Sequence, residues 1–127
     1  MPIGFKELVA AANAQVDVLD VDAASQLVGD DGVQFIDVRD GNEVADSGMI
    51  AGAAHASRGL LEFKIDAECP MHDPVFSSGK RFVFYCGTGG RSALSAKLAM
   101  DMGLEQVAHM AGGVKAWKDS GRDLEKS

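Results

Sequence analysis

The chain has 127 residues, and its 12 basic against 19 acidic residues give a net charge of −7 at pH 7. With 46% hydrophobic and 24% charged residues, the composition is that of a globular chain rather than a disordered or fibrous one. The length predicts one domain over residues 1–127. The acidic balance argues against nucleic-acid binding and against a polybasic membrane anchor, because both need clustered Lys and Arg.

The number of cysteines and the N-terminal sequence indicate in which cellular compartment the protein functions. Cys69 and Cys86 are too few for a disulfide framework. Glu7 comes before any apolar stretch forms, so no signal peptide is recognised, and no stretch is long and apolar enough to span a bilayer. We therefore expect a reducing, cytoplasmic setting, in which a cysteine either packs or reacts.

Helical and extended patterns alternate along the chain. In chain order they predict helix over 5–12, strand over 16–19, helix over 23–28, strand over 33–38, a helical turn over 41–47, helix over 60–65, strand over 81–85, helix over 92–102, strand over 107–110 and helix over 114–120. Asp22 is the expected cap of the second helix and Gly29 its stop. The strand over 81–85 lacks polar alternation, which suits burial on both faces of a parallel sheet. Strands separated by helices predict an α/β fold with a mostly parallel sheet.

The junction between the strongest strand and the strongest helix carries the most chemistry. Its loop consists of Cys86, Gly87, Thr88, Gly89, Gly90 and Arg91. The three glycines permit backbone conformations with positive φ, and the start of the following helix presents unpaired N–H groups. These donors predict a cradle that stabilises a Cys86 thiolate and binds an oxyanion, with Arg91 supplying a fixed positive charge.

This arrangement predicts a cysteine nucleophile that attacks, or carries part of, a small anionic substrate. The alternative, a buried cysteine packed in a tight turn, fits a lone cysteine better than one followed by glycines and an arginine. The loop is not a Walker loop, because no Lys-Ser/Thr pair follows its last glycine. It is not a Rossmann fingerprint, because it begins with cysteine and its glycine spacing differs.

Four motifs together resemble the rhodanese (thiosulfate sulfurtransferase) family in its single-domain form. They are residues 35–39 with Glu43, residues 48–55, the loop 86–91 and residues 111–117. The resemblance implies a rhodanese-like fold, with a central parallel five-stranded sheet, helices on both faces and a core at about residues 18–120. Four residues separate Cys86 from Arg91, which resembles the six-residue loop of the sulfurtransferases; related phosphatases and arsenate reductases have one residue more.

The resemblance implies a sulfurtransferase in which Cys86 takes a sulfane sulfur from thiosulfate or a similar anionic donor. The resulting persulfide passes the sulfur to cyanide or a thiol, and no metal or organic cofactor is implied. Two alternatives stay open. One is a relay module that delivers sulfur to a specific protein partner, and the other, disfavoured by the short loop, is a phosphatase or arsenate reductase.

For residues outside the loop we expect mainly structural roles. Asp37 and Arg39 are expected to form a buried pair at the end of a strand, and Glu43 is close enough in sequence to join it. The resemblance implies that His55 is hydrogen-bonded in a structural turn and does not act as a base. The resemblance places Arg58 in a segment that lines the mouth of the site, and Arg58 has two equal interpretations, a second anion contact or a solvated arginine.

Cys69 lies in an irregular polar stretch and is expected to be incidental to the chemistry of Cys86, since nothing in the sequence brings the two together. Its spacing from His72 occurs in metal sites. However, two cysteines and three scattered histidines fit no closed zinc pattern.

Overall fold

Five parallel strands form one sheet at the centre of the computed structural model, which describes residues 2–126. In chain order the strands are β1 Asp17–Leu19, β2 Val33–Asp37, β3 Ala54–His55, β4 Arg81–Tyr85 and β5 Val107–Met110. Their order across the sheet is β1-β5-β4-β2-β3, and each neighbouring pair is parallel. The predicted α/β fold with a parallel five-stranded sheet is therefore confirmed.

Helices connect the strands. Over residues 2–126 they are α1 Phe5–Asn13, α2 Val21–Ser25, α3 Gly41–Ser47, α4 Leu61–Ile65, α5 Gly90–Asp101 and α6 Gly113–Asp119. Two 3₁₀ turns, Arg58–Leu60 and Pro74–Ser77, lie on either side of α4. None of the helices described here is both long and apolar enough to cross a membrane.

Two hydrophobic clusters cover the two faces of the sheet, as β4 shows best. Phe82 and Phe84 pack with α4 and α5 on one face, whereas Val83 and Tyr85 pack with α2 and α6 on the other. All four side chains are buried, because successive residues of a strand point to opposite faces. This confirms that β4 is buried on both sides and that helices lie on both faces.

Two local predictions are wrong. The cap of α2 is Asp20, whose carboxylate accepts the Ala23 N–H at 2.7 Å, and not Asp22. Gly29, with φ of 86°, ends the turns that follow α2 rather than the helix itself. The strand β3 has no counterpart among the predicted strands, because two residues are too few to show an alternating pattern.

The parallel register brings the carboxyl ends of the central strands to one edge. Asp37 at the end of β2 pairs with Tyr85 at the end of β4, and Phe84 pairs with His109 of β5. Segments that leave these ends lie side by side, and in open parallel sheets ligands bind at this edge. Cys86 is the first residue beyond β4.

Candidate functional site

Cys86 lies at the carboxyl end of β4, and its sulfur faces the first turn of α5. The residue is 1% exposed. Its Sγ accepts hydrogen bonds from the backbone N–H groups of Gly89 at 3.1 Å and Ser92 at 3.3 Å, and the Ser92 hydroxyl oxygen lies 3.5 Å away. Two N–H donors at the start of a helix stabilise negative charge on the sulfur. The position therefore suits a thiolate nucleophile.

One of the three loop glycines adopts a positive φ. Gly89, the cap of α5, has φ of 111°, and an added Cβ would lie 3.2 Å from the Gly112 nitrogen. Gly87 and Gly90 have no positive φ, so they do not use the conformational freedom that glycine permits. An added Cβ at Gly87 would meet the flexible end of Arg91 at 3.1 Å, and at Gly90 it would meet nothing within 4 Å. The backbone therefore requires glycine at Gly89 alone among the three.

The start of α6 packs against the loop, a contact that the sequence analysis missed. At Gly113, with φ of 61°, an added Cβ would lie 2.5 Å from the Cys86 carbonyl oxygen. The Val114 N–H donates to that oxygen at 2.8 Å, and the Lys115 N–H donates to the Gly87 carbonyl at 3.0 Å. Because a trans peptide directs its N–H opposite to its carbonyl, the N–H groups that follow these carbonyls point away from α6. In the sequence, the pair Gly112-Gly113 was the feature that could have indicated this close contact.

Four loop N–H groups have no protein acceptor within residues 2–126, those of Gly87, Thr88, Gly90 and Arg91. Unpaired N–H groups at a helix start and in a tight loop bind anions. The predicted substrate-binding residues 87–91 thus surround Cys86 with available donors. Their contact with a substrate stays a prediction.

The Arg91 side chain does not act as an unpaired charge in the loop. Its guanidinium donates to both carboxylate oxygens of Glu43, at 2.6 and 3.0 Å. The hydrogen bond from Arg91 lowers the pKa of Glu43 to about 2, and the same bond raises the pKa of Arg91. Glu43 therefore pairs with the loop arginine instead of joining Asp37, which corrects the sequence prediction for Glu43.

The Asp37–Arg39 pair lies at the end of β2. Arg39 donates to Asp37 through Nε at 3.0 Å and through Nη2 at 2.7 Å. The same guanidinium donates to the Ser47 hydroxyl at 2.7 Å and to the Gly48 carbonyl at 2.6 Å. Both partners are buried, and the arginine connects the end of β2 to the end of α3. This is the geometry of a structural brace.

His55 and Arg58 lie at the same edge of the sheet, on the side of β2 away from Cys86. The Nε2 of His55 is hydrogen-bonded to the Arg39 carbonyl at 2.8 Å, as expected of a structural histidine. The Arg58 N–H donates to the Val38 carbonyl at 3.1 Å. Its guanidinium makes no hydrogen bond or ion pair within residues 2–126, so it is available for an anion. That contact stays a prediction.

The side chains of Cys69 and His72 have separate local partners. The Cys69 sulfur accepts the Met71 N–H at 3.5 Å, and the Nε2 of His72 is hydrogen-bonded to the Ser77 hydroxyl at 3.0 Å. Over the described chain, no three His, Cys, Asp or Glu side chains gather closely enough to hold a metal ion.

Comparison with known proteins shows which family the chain belongs to. The model of the rhodanese-like domain family matches residues 20–120. A Rhodopseudomonas palustris protein of unknown function, described as a possible tyrosine phosphatase, is similar at 42% identity, with a TM-score of 0.94 over 98% of this chain and 96% of that chain. No curated protein matches the chain.

Two further solved structures belong to sulfurtransferases. The polysulfide-sulfur transferase homodimer of Wolinella succinogenes is 27% identical, with a TM-score of 0.72 over 97% of this chain and 88% of that chain. A human single-domain sulfurtransferase is 24% identical, with a TM-score of 0.69 over 82% of this chain and 96% of that chain. The second likeness concerns the fold alone.

Proposed function

Because the chain belongs to the rhodanese-like domain family, we propose that it is a sulfurtransferase that carries a sulfane sulfur on Cys86. The similar polysulfide-sulfur transferase of W. succinogenes supports this assignment. The observation that carries it is the geometry at Cys86, a buried sulfur that accepts two backbone N–H bonds. Around it, the loop offers four N–H groups without an acceptor in the described chain.

In the first half-reaction the Cys86 thiolate attacks the outer sulfur of thiosulfate or a similar anionic donor. A new S–S bond forms as the S–S bond of the donor breaks, and sulfite leaves with the bonding electron pair. The outer sulfur of the Cys86 persulfide then carries the negative charge. The N–H groups of Gly87 and Thr88 are directed away from α6 and stabilise that charge.

In the second half-reaction an acceptor takes the outer sulfur. Cyanide or a thiolate attacks it, the persulfide S–S bond breaks, and its electron pair returns to Cys86 as a thiolate. Because both half-reactions share one covalent intermediate, the kinetics are ping-pong. The Cys86 sulfur is itself buried, so the acceptor, a small molecule or a thiol on a protein, has to reach the outer sulfur.

A phosphatase is the second candidate, because the similar R. palustris protein is described as a possible tyrosine phosphatase. The same N–H groups would then bind phosphate, and Cys86 would attack phosphorus. Two features disfavour this reaction: the loop has only four residues between Cys86 and Arg91, and Glu43 neutralises the guanidinium. Phosphoryl transfer depends on positive charge directed at the transferred group.

Intact-mass measurement after treatment with thiosulfate tests the proposal. We expect the mass of one added sulfur on the wild type and on the matched control Cys69→Ser, and none on Cys86→Ser. Steady-state turnover with cyanide and thiol acceptors should give ping-pong kinetics, and Cys86→Ser should lose about 1000-fold or more in rate. A persulfide and turnover that survive in Cys86→Ser would overturn the proposal.

The same preparation separates the alternatives. Hydrolysis of an aryl phosphate that depends on Cys86 and exceeds sulfur transfer would establish the phosphatase. Slow transfer to small thiols that becomes fast with a protein thiol would identify a relay module.

A further inference from the structure

A hydrogen-bond chain leads from Cys86 through the interior to the surface at α1. The Ser92 oxygen lies 3.5 Å from the Cys86 sulfur and 3.1 Å from Nδ1 of His109, and Nε2 of His109 lies 2.6 Å from the Asn13 amide oxygen. Ser92 and His109 are buried, whereas Asn13 is exposed at the end of α1. Asn13 precedes the residues 20–120 that match the family model. The chain therefore joins the nucleophile to water through a residue outside the matched domain.

The proton positions in this chain follow from what each group can donate. With the Asn13 amide oxygen facing the ring, Nε2 of His109 carries the ring proton and Nδ1 is an acceptor. Burial lowers the pKa of His109, which keeps the ring neutral. Ser92 has one hydroxyl proton and two acceptors at 3.1 Å, Nδ1 of His109 and the Gly89 carbonyl oxygen. When the proton is donated to Nδ1, the Ser92 oxygen accepts the S–H of Cys86. Every group in the chain then donates in the direction from Cys86 toward Asn13, and this arrangement requires a proton on the sulfur, as in the thiol form.

A thiolate requires the opposite polarity. The Ser92 hydroxyl must donate to the sulfur, Nδ1 must carry the ring proton and donate to Ser92, and Nε2 becomes an acceptor. The exposed Asn13 amide can rotate to offer its NH₂ group to Nε2. Resting on the proposed role of Cys86 as nucleophile, we propose that His109 changes tautomer as Cys86 ionises, and that the thiol proton leaves through Ser92 and His109 to water beside Asn13.

The transfer balances without an additional reactant. The S–H bond of Cys86 breaks and its electron pair stays on the sulfur. The proton passes to the Ser92 oxygen as the original hydroxyl proton passes to Nδ1, and the Nε2 proton is released to water. One proton is lost overall, Ser92 is unchanged, and the imidazole is neutral before and after, as its burial requires. His109 and Asn13 are therefore positioning residues that act through Ser92.

The surroundings leave Cys86 as the group whose titration drives this change. The side chains contributed beside His109 by the elements packed around it are uncharged: Val18 of β1, Phe84 of β4, Ser92 of α5 and Asn13 of α1. Arg91 is the charged residue that interacts with Cys86, and its pairing with Glu43 keeps both ionised near neutral pH. A tautomer change that coincides with the alkylation midpoint of Cys86 therefore reports on Cys86.

Nitrogen NMR of the His109 ring provides the direct test, performed on Cys69→Ser so that iodoacetamide can alkylate Cys86 alone. We expect the Nε2–H signature at low pH to change to the Nδ1–H signature at the pH where alkylation of Cys86 reaches its midpoint. The comparison variant Cys86→Ser, which does not ionise there, should keep the Nε2–H form. A ring that does not change through the midpoint, or that changes equally in Cys86→Ser, would overturn the proposal.

The alkylation midpoint gives a second readout. In His109→Leu the thiolate loses a polarised donor chain, and hydrogen bonds to a charged group are stronger than those to a thiol. We expect the midpoint to rise by about half a pH unit or more; an unchanged midpoint in a folded variant would contradict the proposal.

A surface pair tests the outer end of the chain and does not disturb the core. Asn13→Ala should increase the Nδ1–H fraction of His109 below the midpoint, because the amide oxygen no longer holds Nε2–H. The neighbouring exposed change Gln15→Ala should leave that fraction as in the wild type, and equal fractions in the two variants would remove Asn13 from the chain. Neither NMR nor alkylation uses thiosulfate, so these results stand or fail independently of the persulfide measurement.

Discussion

Two arginine–carboxylate pairs at one edge of the sheet have similar geometry but different surroundings. In each, the guanidinium donates to both oxygens of one carboxylate. The side chains of Arg39 and Asp37 are 4% and 0% exposed, whereas those of Arg91 and Glu43 are 38% and 37% exposed. Arg39 also bonds the end of α3, but the Arg91 guanidinium bonds Glu43 alone within residues 2–126.

The difference in burial assigns the two pairs different roles. Removing one partner of a buried pair leaves a charge without solvent or counter-ion, which is strongly destabilising. An exposed pair is screened by water and contributes little to stability. The Asp37–Arg39 pair therefore maintains the fold at the site, whereas the Arg91–Glu43 pair can be broken with little effect on the fold.

The largest expected effect comes from breaking the buried pair. Asp37→Ala leaves the Arg39 guanidinium uncompensated, and we expect the free energy of unfolding to fall by about 3–5 kcal/mol. Urea denaturation measures the loss, with Glu43→Gln as the comparison at the exposed pair. A loss in Asp37→Ala no larger than that in Glu43→Gln would show that burial does not distinguish the pairs.

The second effect is kinetic and concerns the exposed pair. Glu43→Gln removes the negative partner of Arg91 and frees the guanidinium for an anionic donor. We expect the KM for thiosulfate to fall by about 2- to 5-fold, a change in binding free energy on the scale of one exposed ion pair. Steady-state kinetics at fixed acceptor concentration measures it.

The matched control is Asp46→Asn, which makes the same change of charge at an exposed position of α3. Its KM should stay near that of the wild type. Equal decreases in the two variants would assign the effect to net charge and not to Arg91.

The two pairs also show what the sequence could predict and what it could not. Asp37 and Arg39 are two residues apart at the end of a strand, so local pattern was sufficient to pair them. Glu43 and Arg91 are separated by 48 positions, and only the parallel arrangement of β2 and β4 brings the elements that carry them together. Local proximity therefore gave Glu43 the wrong partner.

The site also has features that the local sequence predicts and features that it does not. The Cys86 loop was predictable, because a strand end, glycines and a helix start follow one another in the sequence. The contact of Gly113 with the Cys86 carbonyl joins distant segments, as does the Asn13–His109 bond, whose partners are 96 positions apart. The spacing of apolar residues within one helix or strand does not predict such contacts. Backbone conformation also escaped prediction in part, since a glycine permits positive φ but does not impose it, as Gly87 and Gly90 show.

The smallest expected effect is the acid dependence of the exposed pair. The pKa of Glu43 is lowered to about 2 by the hydrogen bond from Arg91, so the folded state binds its proton less readily than the unfolded chain. A lowered carboxyl pKa stabilises the fold above the unfolded value and loses that contribution as pH falls through the folded value. For Glu43 this window runs from pH 4.5 down to about pH 2.

Because the Glu43 side chain is more than one-third exposed, solvent screening limits the contribution to about 1 kcal/mol or less. The difference in unfolding free energy between the wild type and Glu43→Gln should be largest near neutral pH and should shrink toward zero as the pH falls through the window. Urea denaturation at several pH values measures this difference. A difference that stays constant through the window would mean that the Glu43 charge does not stabilise the fold, and the pair would then act on substrate binding alone.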